Sequence, residues 1–195
     1  MQIVVFMVVC AVLAAGAVFW IYNHLVRLRV QMRNAFAQID VQLKRRHELI
    51  PNLVDTARRY LAHERETLES VMAARTRAVQ AGGTASVQPD DPAAMAQLLG
   101  AEQQLGGALG RLLAVMEAYP DLKADQTMRD LMEHLTSTDN RIAFARQAYN
   151  DAVMSYNTAI QIFPNVLLAG PMGFRPGRFF EAAGPAERQA PRVVF

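Results

Sequence analysis

The stretch MRDLMEHLTSTDNRIAFARQAYNDAVMSYNTAIQIF, residues 128–163, decides the fold. Met128, Leu131, Leu135, Ile142, Ala145, Tyr149, Ala152, Tyr156, Ala159 and Phe163 recur at a heptad-like spacing, with Thr138 as the one polar entry on that stripe. Residues three and four apart share one face of a helix, whereas a half-buried strand alternates every second residue. Asp125 stands just ahead and can accept from the unpaired N–H groups of the first turn, so it predicts where the helix starts. One long amphipathic helix cannot cover its own apolar stripe, and the rest of the chain must supply partners.

Working outward, Leu98, Ala101, Leu105, Ala108, Leu112 and Val115 or Met116 mark a helix that Asp91 and Pro92 open and Tyr119-Pro120 closes. Its glycines, Gly100, Gly106, Gly107 and Gly110, are read as sites of close helix–helix approach, since no Lys-Ser or Lys-Thr follows them as a phosphate-binding loop requires. Before it lies a low-complexity linker, residues 82–92, rich in Gly, Ser, Pro and Asp. A further helix is predicted from Leu53 to Gly82-Gly83, and another through Leu25, Leu28, Met32, Ala35, Ile39 and Leu43. Between those two, Pro51 predicts a break or kink, because a proline inside a helix costs about 3 kcal/mol. Arg45, Arg46, His47, Pro51 and Asn52 are therefore candidate hinge residues. Four amphipathic helices with short connections predict an all-α antiparallel four-helix bundle. From Pro164 onward, proline and glycine predict an irregular strap and tail, with Val166, Leu167, Leu168, Phe174, Phe179 and Phe180 available to pack on the bundle.

Ile3 to Tyr22 are twenty consecutive residues without a charge. As a helix they span about 30 Å, the thickness of a bilayer's hydrocarbon core. Only Met1 and Gln2 precede the run, it is long for a signal core, and Val18 to Ile21 continue past the small residues Ala14 to Ala17, so a retained anchor is expected. Trp20 and Tyr22 stand where interfacial aromatics belong. Arg27, Arg29 and Arg33 follow before any acidic residue, which places the bundle in the cytoplasm and the N-terminus outside. Cys10, the one cysteine, lies in the span, so there is no disulfide framework. Ala11 and Ala15 form a small-xxx-small pair through which two anchors could pack as a homo-oligomer, although alanine-rich spans produce such pairs by chance. The expected organisation is an anchor over 1–24, a helical bundle over 25–163 and a strap and tail over 164–195.

Chemistry is sparse. His47-Glu48 and His63-Glu64 begin as zinc-protease motifs do, but neither has the second histidine one turn on. No serine sits in Gly-x-Ser-x-Gly. A net charge of +2 gives no argument for nucleic acid. No catalytic residue, cofactor or metal site is therefore expected, and the chain is read as not an enzyme. Polar residues on apolar faces define one candidate site. His63, Glu64, Arg146, Tyr149, Asn150, Tyr156 and Asn157 are expected to form a polar seam between the second and fourth helices, with Glu64 paired to Arg146 or Arg141. Its bland reading is that it fixes helix register; the sharper one is a partner or ligand site.

Leu43 to Val54 (LKRRHELIPNLV), with Tyr60, His63 and Glu64 downstream, resembles the signature of LemA family proteins. Glu117 to Ala124 is similar to the family's mid-chain block. Arg141-Ile142-Ala143, Ala145-Arg146, the Tyr149-Asn150 and Tyr156-Asn157 pairs and Phe163-Pro164 are similar to its last helix. The family usually has one residue between that proline and the next asparagine, whereas Asn165 follows Pro164 directly. Residues Gly170 to Gly173 also depart, while Gly173-Phe174 and Phe179-Phe180-Glu181 are similar to the family ending. The resemblance implies a bacterial inner-membrane protein with an N-terminal anchor and a helical bundle, and brings no established activity. The expected function is a non-enzymatic module held in lipid through residues 3–22, docking or scaffolding an unidentified membrane or envelope protein, in keeping with the family's association with stress and quality control. A periplasmic or lipid-facing sensor is the alternative, and a metal-dependent hydrolase the weakest reading.

Overall fold

The computed structural model describes residues 1–180, and the tail from 181 to 195 lies outside the described residues. Those residues are all-α, with no strand among them: α1 (Gln2–Arg58), α2 (Arg65–Val87), α3 (Pro92–Met116), α4 (Pro120–Ala124), α5 (Gln126–Gln161) and α6 (Asn165–Ala169).

α1 is a single helix of 57 residues, about 85 Å long at the usual rise. The expected break at Pro51 does not occur. Ile50, Leu53 and Val54 are almost completely buried on one face of α1, in a cluster with residues of α2, α3 and α5. At about 1.5–3 kcal/mol each, three such side chains outweigh the roughly 3 kcal/mol that an interior proline costs. Pro51 lacks an N–H, which leaves the His47 carbonyl without its helical donor. Arg75 from α2 supplies one, its Nε donating to that carbonyl at 2.6 Å. The segment around Pro51 is therefore a continuous stretch of helix at which α2 is fastened to α1.

α5 lies antiparallel to α1 along its length. Tyr60 meets Asp125 at one end, Arg46 meets Asp139 midway, and Phe36 meets Tyr149 further down, rings 5.9 Å apart and edge-on. α2 runs antiparallel to α1 and α3 parallel to it, as the Arg33–Asp90 and Arg46–Glu102 pairs require. The α2–α3 turn falls level with Arg33. α2 and α3 therefore lie beside α1 only from about Arg33 to Arg58. Below that level α1 and α5 stand as a pair, and the chain after Pro164 closes their exposed groove.

The helix starts at Asp91 and Asp125 are real caps. Asp91 accepts from Ala93 N at 3.1 Å and Ala94 N at 3.2 Å, and Asp125 accepts from Met128 N at 2.9 Å. The Met128 backbone, then the Tyr60 hydroxyl donating at 2.9 Å, hold the Asp125 carboxyl below its ordinary pKa. The linker differs from expectation: Gly82 to Val87 are helical, leaving only residues 88–91 as a turn. The glycines of α3 differ too. A β-carbon at Gly100, Gly107 or Gly110 would meet nothing within 4 Å, and one at Gly106 would only reach Arg46 Nη2 at 4.0 Å. The close approach is at Gly177 instead, where a β-carbon would fall 2.6 Å from Met32 Sδ.

One described helix is long and apolar enough to cross a membrane, and its apolar stretch is not buried within the protein. Side chains from Ile3 to Trp20 point away from the bundle, whose core begins at Ile21 and Leu25.

Candidate functional site

The expected seam does not exist as one site. His63 is exposed in the turn after α1, and Glu64 is the N-cap residue of α2, at the end of the bundle far from Arg146. The stripe that seemed to carry Glu64 assumed one helix through residues 53–81. The true helix ends at Arg58, and the turn over 59–64 resets the register. Arg146 instead lies over the Phe180 ring, 5.4 Å from its centroid.

The other seam residues are brought together, and their partner is the chain's own strap. Asn157 donates to Gly177 O at 2.9 Å and accepts from Gly177 N at 2.8 Å. Asn150 does the same with Phe180, at 3.3 and 2.8 Å. The buried Tyr149 hydroxyl donates to Arg178 O at 2.9 Å, and Tyr156 bonds the Arg175 backbone. Two Tyr-Asn pairs one heptad apart thus read the backbone of residues 175–180, whose N–H and C=O groups have no sheet or helix to pair with. Burial, with a smaller contribution from the charge of Asp90, pushes the Tyr149 hydroxyl up to about 12. Within the strap, Phe174 and Phe180 are buried, whereas Val166, Leu167 and Phe179 are exposed, so only part of the apolar set packs on the bundle. Gly173, at φ +77°, is required for the turn that starts the strap.

A second polar cluster, unanticipated as a site, sits at mid-height where α1, α3 and α5 meet. Arg46 Nη1 donates to Glu102 Oε2 at 3.2 Å, and Arg46 Nε lies 3.3 Å from Asp139 Oδ1, an ionic contact without hydrogen-bond geometry. His47 Nε2 is 2.7 Å from Glu102 Oε1. Both carboxylate oxygens of the buried Glu102 are thus occupied by α1. Partial burial raises the Asp139 carboxyl above its ordinary pKa, with Arg46 opposing and Glu102 adding to the shift. The signal for Glu102 was present in the sequence: it stands on the stripe Leu98, Glu102, Leu105, Leu109, where an apolar residue is expected. Of the hinge residues, Arg46 and His47 belong to this cluster, while Arg45 and Asn52 are exposed.

This arrangement suits a register pin better than a reaction centre. Glu102 has no free oxygen for a base's work, and among the described residues no group of three or more His, Cys, Asp or Glu side chains could hold a metal ion. A cleft of about 630 Å³ runs between α1 and the α2–α3 turn, lined by Arg33, Phe36, Asp40, Asp90 and Arg175. Arg33 is already held there by Asp90, Nε donating at 3.0–3.1 Å.

The LemA family model matches residues 35–195. Magnetosome protein MamQ 2 of Paramagnetospirillum magneticum is 31% identical over 175 residues, covering 82% of this chain and 64% of its own length. Magnetosome protein MamQ of Magnetospirillum gryphiswaldense is 30% identical over 174 residues, with the same coverage, 82% and 64%. Protein LemA of Metamycoplasma hominis is 24% identical over 162 residues, covering 81% of this chain and 69% of its own. The chain therefore spans a little under two thirds of the length of the MamQ proteins it matches.

Proposed function

The chain belongs to the LemA family, and on that premise we propose that it is a non-enzymatic, membrane-anchored helical module that docks other membrane or envelope proteins. The observation that carries the proposal is α1 itself. One uninterrupted helix is both the candidate membrane span and the spine of the bundle, so no flexible linker separates the two. A docking platform uses such rigidity. The internal polar groups support the same reading, because Glu102, Arg46, Tyr149, Asn150 and Asn157 are committed to holding the chain together.

The anchor is proposed to sit in a bacterial inner membrane with the bundle in the cytoplasm, on the strength of Arg27, Arg29 and Arg33 after the span. A reporter enzyme active only in the periplasm, fused after Phe195, should stay silent; activity would invert the topology. Docking is tested with photo-crosslinking residues at the exposed positions Val79, Phe144 and Met154 in intact membranes. Discrete conjugates with the same second protein are expected. Absence of any conjugate from all three positions, or a metal-dependent hydrolase activity abolished by His63→Ala, would overturn the proposal.

A further inference from the structure

Resting on the reading of residues 3–22 as a membrane span, we propose that Ile162–Ala169 forms a second membrane contact, a foot that seats the base of the bundle in the interfacial layer of the same bilayer.

The argument begins with the absence of a spacer. Trp20 is 65% exposed and belongs to the outward-facing apolar run, whereas its neighbour Ile21 is 3% exposed and belongs to the bundle core. The span ends and the folded domain begins at adjacent residues of one helix, so whatever lies level with Ile21 lies level with the bilayer surface. The α5–α6 corner is at that level. Ala169 packs in the same core cluster as Ile21 and Leu25, and Phe174, just beyond α6, meets the Tyr22 ring edge-on at 5.7 Å.

The corner is also inverted for a water-facing loop. Its one polar side chain, Asn165, is buried and donates to Ala159 O at 2.8 Å. Four of its five large apolar side chains face out, Phe163 at 78% exposed, Leu167 64%, Ile162 51% and Val166 48%, while Leu168 packs on the core. The backbone is fixed in that orientation, with Val166 N donating to Ile162 O and Phe174 N to Ala169 O, both at 2.9 Å. Polar inside and apolar outside is the arrangement of a segment whose solvent is lipid. The surroundings fit the interface. Trp20 and Tyr22 are interfacial aromatics on the same helix, and exposed Arg27 follows about 7 Å further along, at the height of headgroup phosphates. The foot is continuous with the apolar surface of the span, which commits it to the lipid that surrounds that span.

The test uses the full chain, Cys10→Ser, reconstituted in phosphatidylcholine–phosphatidylglycerol vesicles. An environment-sensitive fluorophore is attached at a single cysteine replacing Leu167, Phe144 or Val12. The Leu167 probe should be blue-shifted, quenched by lipids spin-labelled near the headgroup, and protected from aqueous iodide; the Phe144 probe should show the reverse. A Leu167 probe that behaves like the Phe144 probe would overturn the foot while leaving the span intact. Quenching absent at Val12 as well, with lipids spin-labelled near the end of the acyl chain, would mean that the span reading itself had failed. Quenching of Leu167 probes by one another but not by lipid would overturn the foot in favour of a second copy of the chain. Phe163→Glu with Leu167→Glu, read from a probe at Val166→Cys, should reduce lipid quenching several-fold at unchanged helix content. Undiminished quenching in that variant would also count against the foot.

Discussion

Arg75 Nε holds the His47 carbonyl at 2.6 Å across the α1–α2 interface, and Pro51 is the reason that this carbonyl is free to be held. A carbonyl ordinarily accepts from the N–H four residues on, and proline has none. The proline's disruption is therefore partly offset by a cross-helix bond to a charged donor.

Arg75→Met should destabilise the fold by about 1.5–3 kcal/mol, the loss of a charge-assisted bond to a carbonyl with no other donor. Pro51→Ala should stabilise it, but by less than the full 3 kcal/mol of an unhindered helix, because Arg75 then competes with a restored helical bond. The two changes should be coupled by more than about 0.5 kcal/mol. Denaturant melts of both single variants and the double variant, in detergent, check this; strict additivity would sever the link between Pro51 and Arg75.

The Arg46–Glu102 pair makes a different prediction. Both side chains are largely withdrawn from water, so removing one leaves the other buried with a single remaining partner, Asp139 for Arg46 or His47 for Glu102. Glu102→Leu should cost about 3 kcal/mol, while Arg46→Met with Glu102→Leu should recover part of that loss. A double variant no better than Glu102→Leu alone would mean that Glu102 acts through His47 and not through Arg46.

Glycines separate two kinds of position. Gly177→Ala drives a methyl into the buried Met32 thioether and should loosen the strap, at a cost of about 1–3 kcal/mol. Gly107→Ala and Gly110→Ala meet open space on a helix and should stabilise it, each by up to about 1 kcal/mol. Limited proteolysis should show faster cleavage of the 170–180 segment in Gly177→Ala alone. Equal protection in all three variants would mean that Met32 yields without cost.

Legibility in the sequence followed the range of the interactions. The α5 stripe and the Asp91 and Asp125 caps are local, and each is complete within a few residues of chain. Pro51 misled because helix propensity is a local quantity, whereas the burial of Ile50, Leu53 and Val54 that overrides it comes from residues distant in the chain, on α2, α3 and α5. The Tyr-Asn heptad could be seen as a repeat, but its partner, residues 175–180, has no periodicity to announce it. Glu64 was misplaced by an error one helix earlier: without the turn at 59–64, its stripe looked continuous. Glu102 was visible as a charge on an apolar stripe, and only the fold shows that Arg46 and His47 face it.

Tyr149 predicts how the strap responds to alkali. Its hydroxyl is buried and its pKa is raised from 10.0 to about 12, so the folded chain keeps the proton where the unfolded chain releases it. A group whose folded pKa is raised contributes fully below the unfolded value, and its contribution is lost as pH climbs from about 10 to about 12. The loss attributable to Tyr149 is about 2–3 kcal/mol. Tyr156, also raised mainly by burial, and Tyr60, raised mainly by its bond to Asp125, add to the same decline, so the wild-type curve alone does not isolate Tyr149. Tyr149→Phe does. It gives up the bond to Arg178 O and should start about 1 kcal/mol less stable at pH 8. Having nothing to ionise at that position, it should then decline less steeply than wild type above pH 10. Urea midpoints at pH 8, 10 and 11 should therefore converge for the two proteins. Parallel curves would mean that the Tyr149 hydroxyl is no harder to ionise in the folded chain than in the unfolded one.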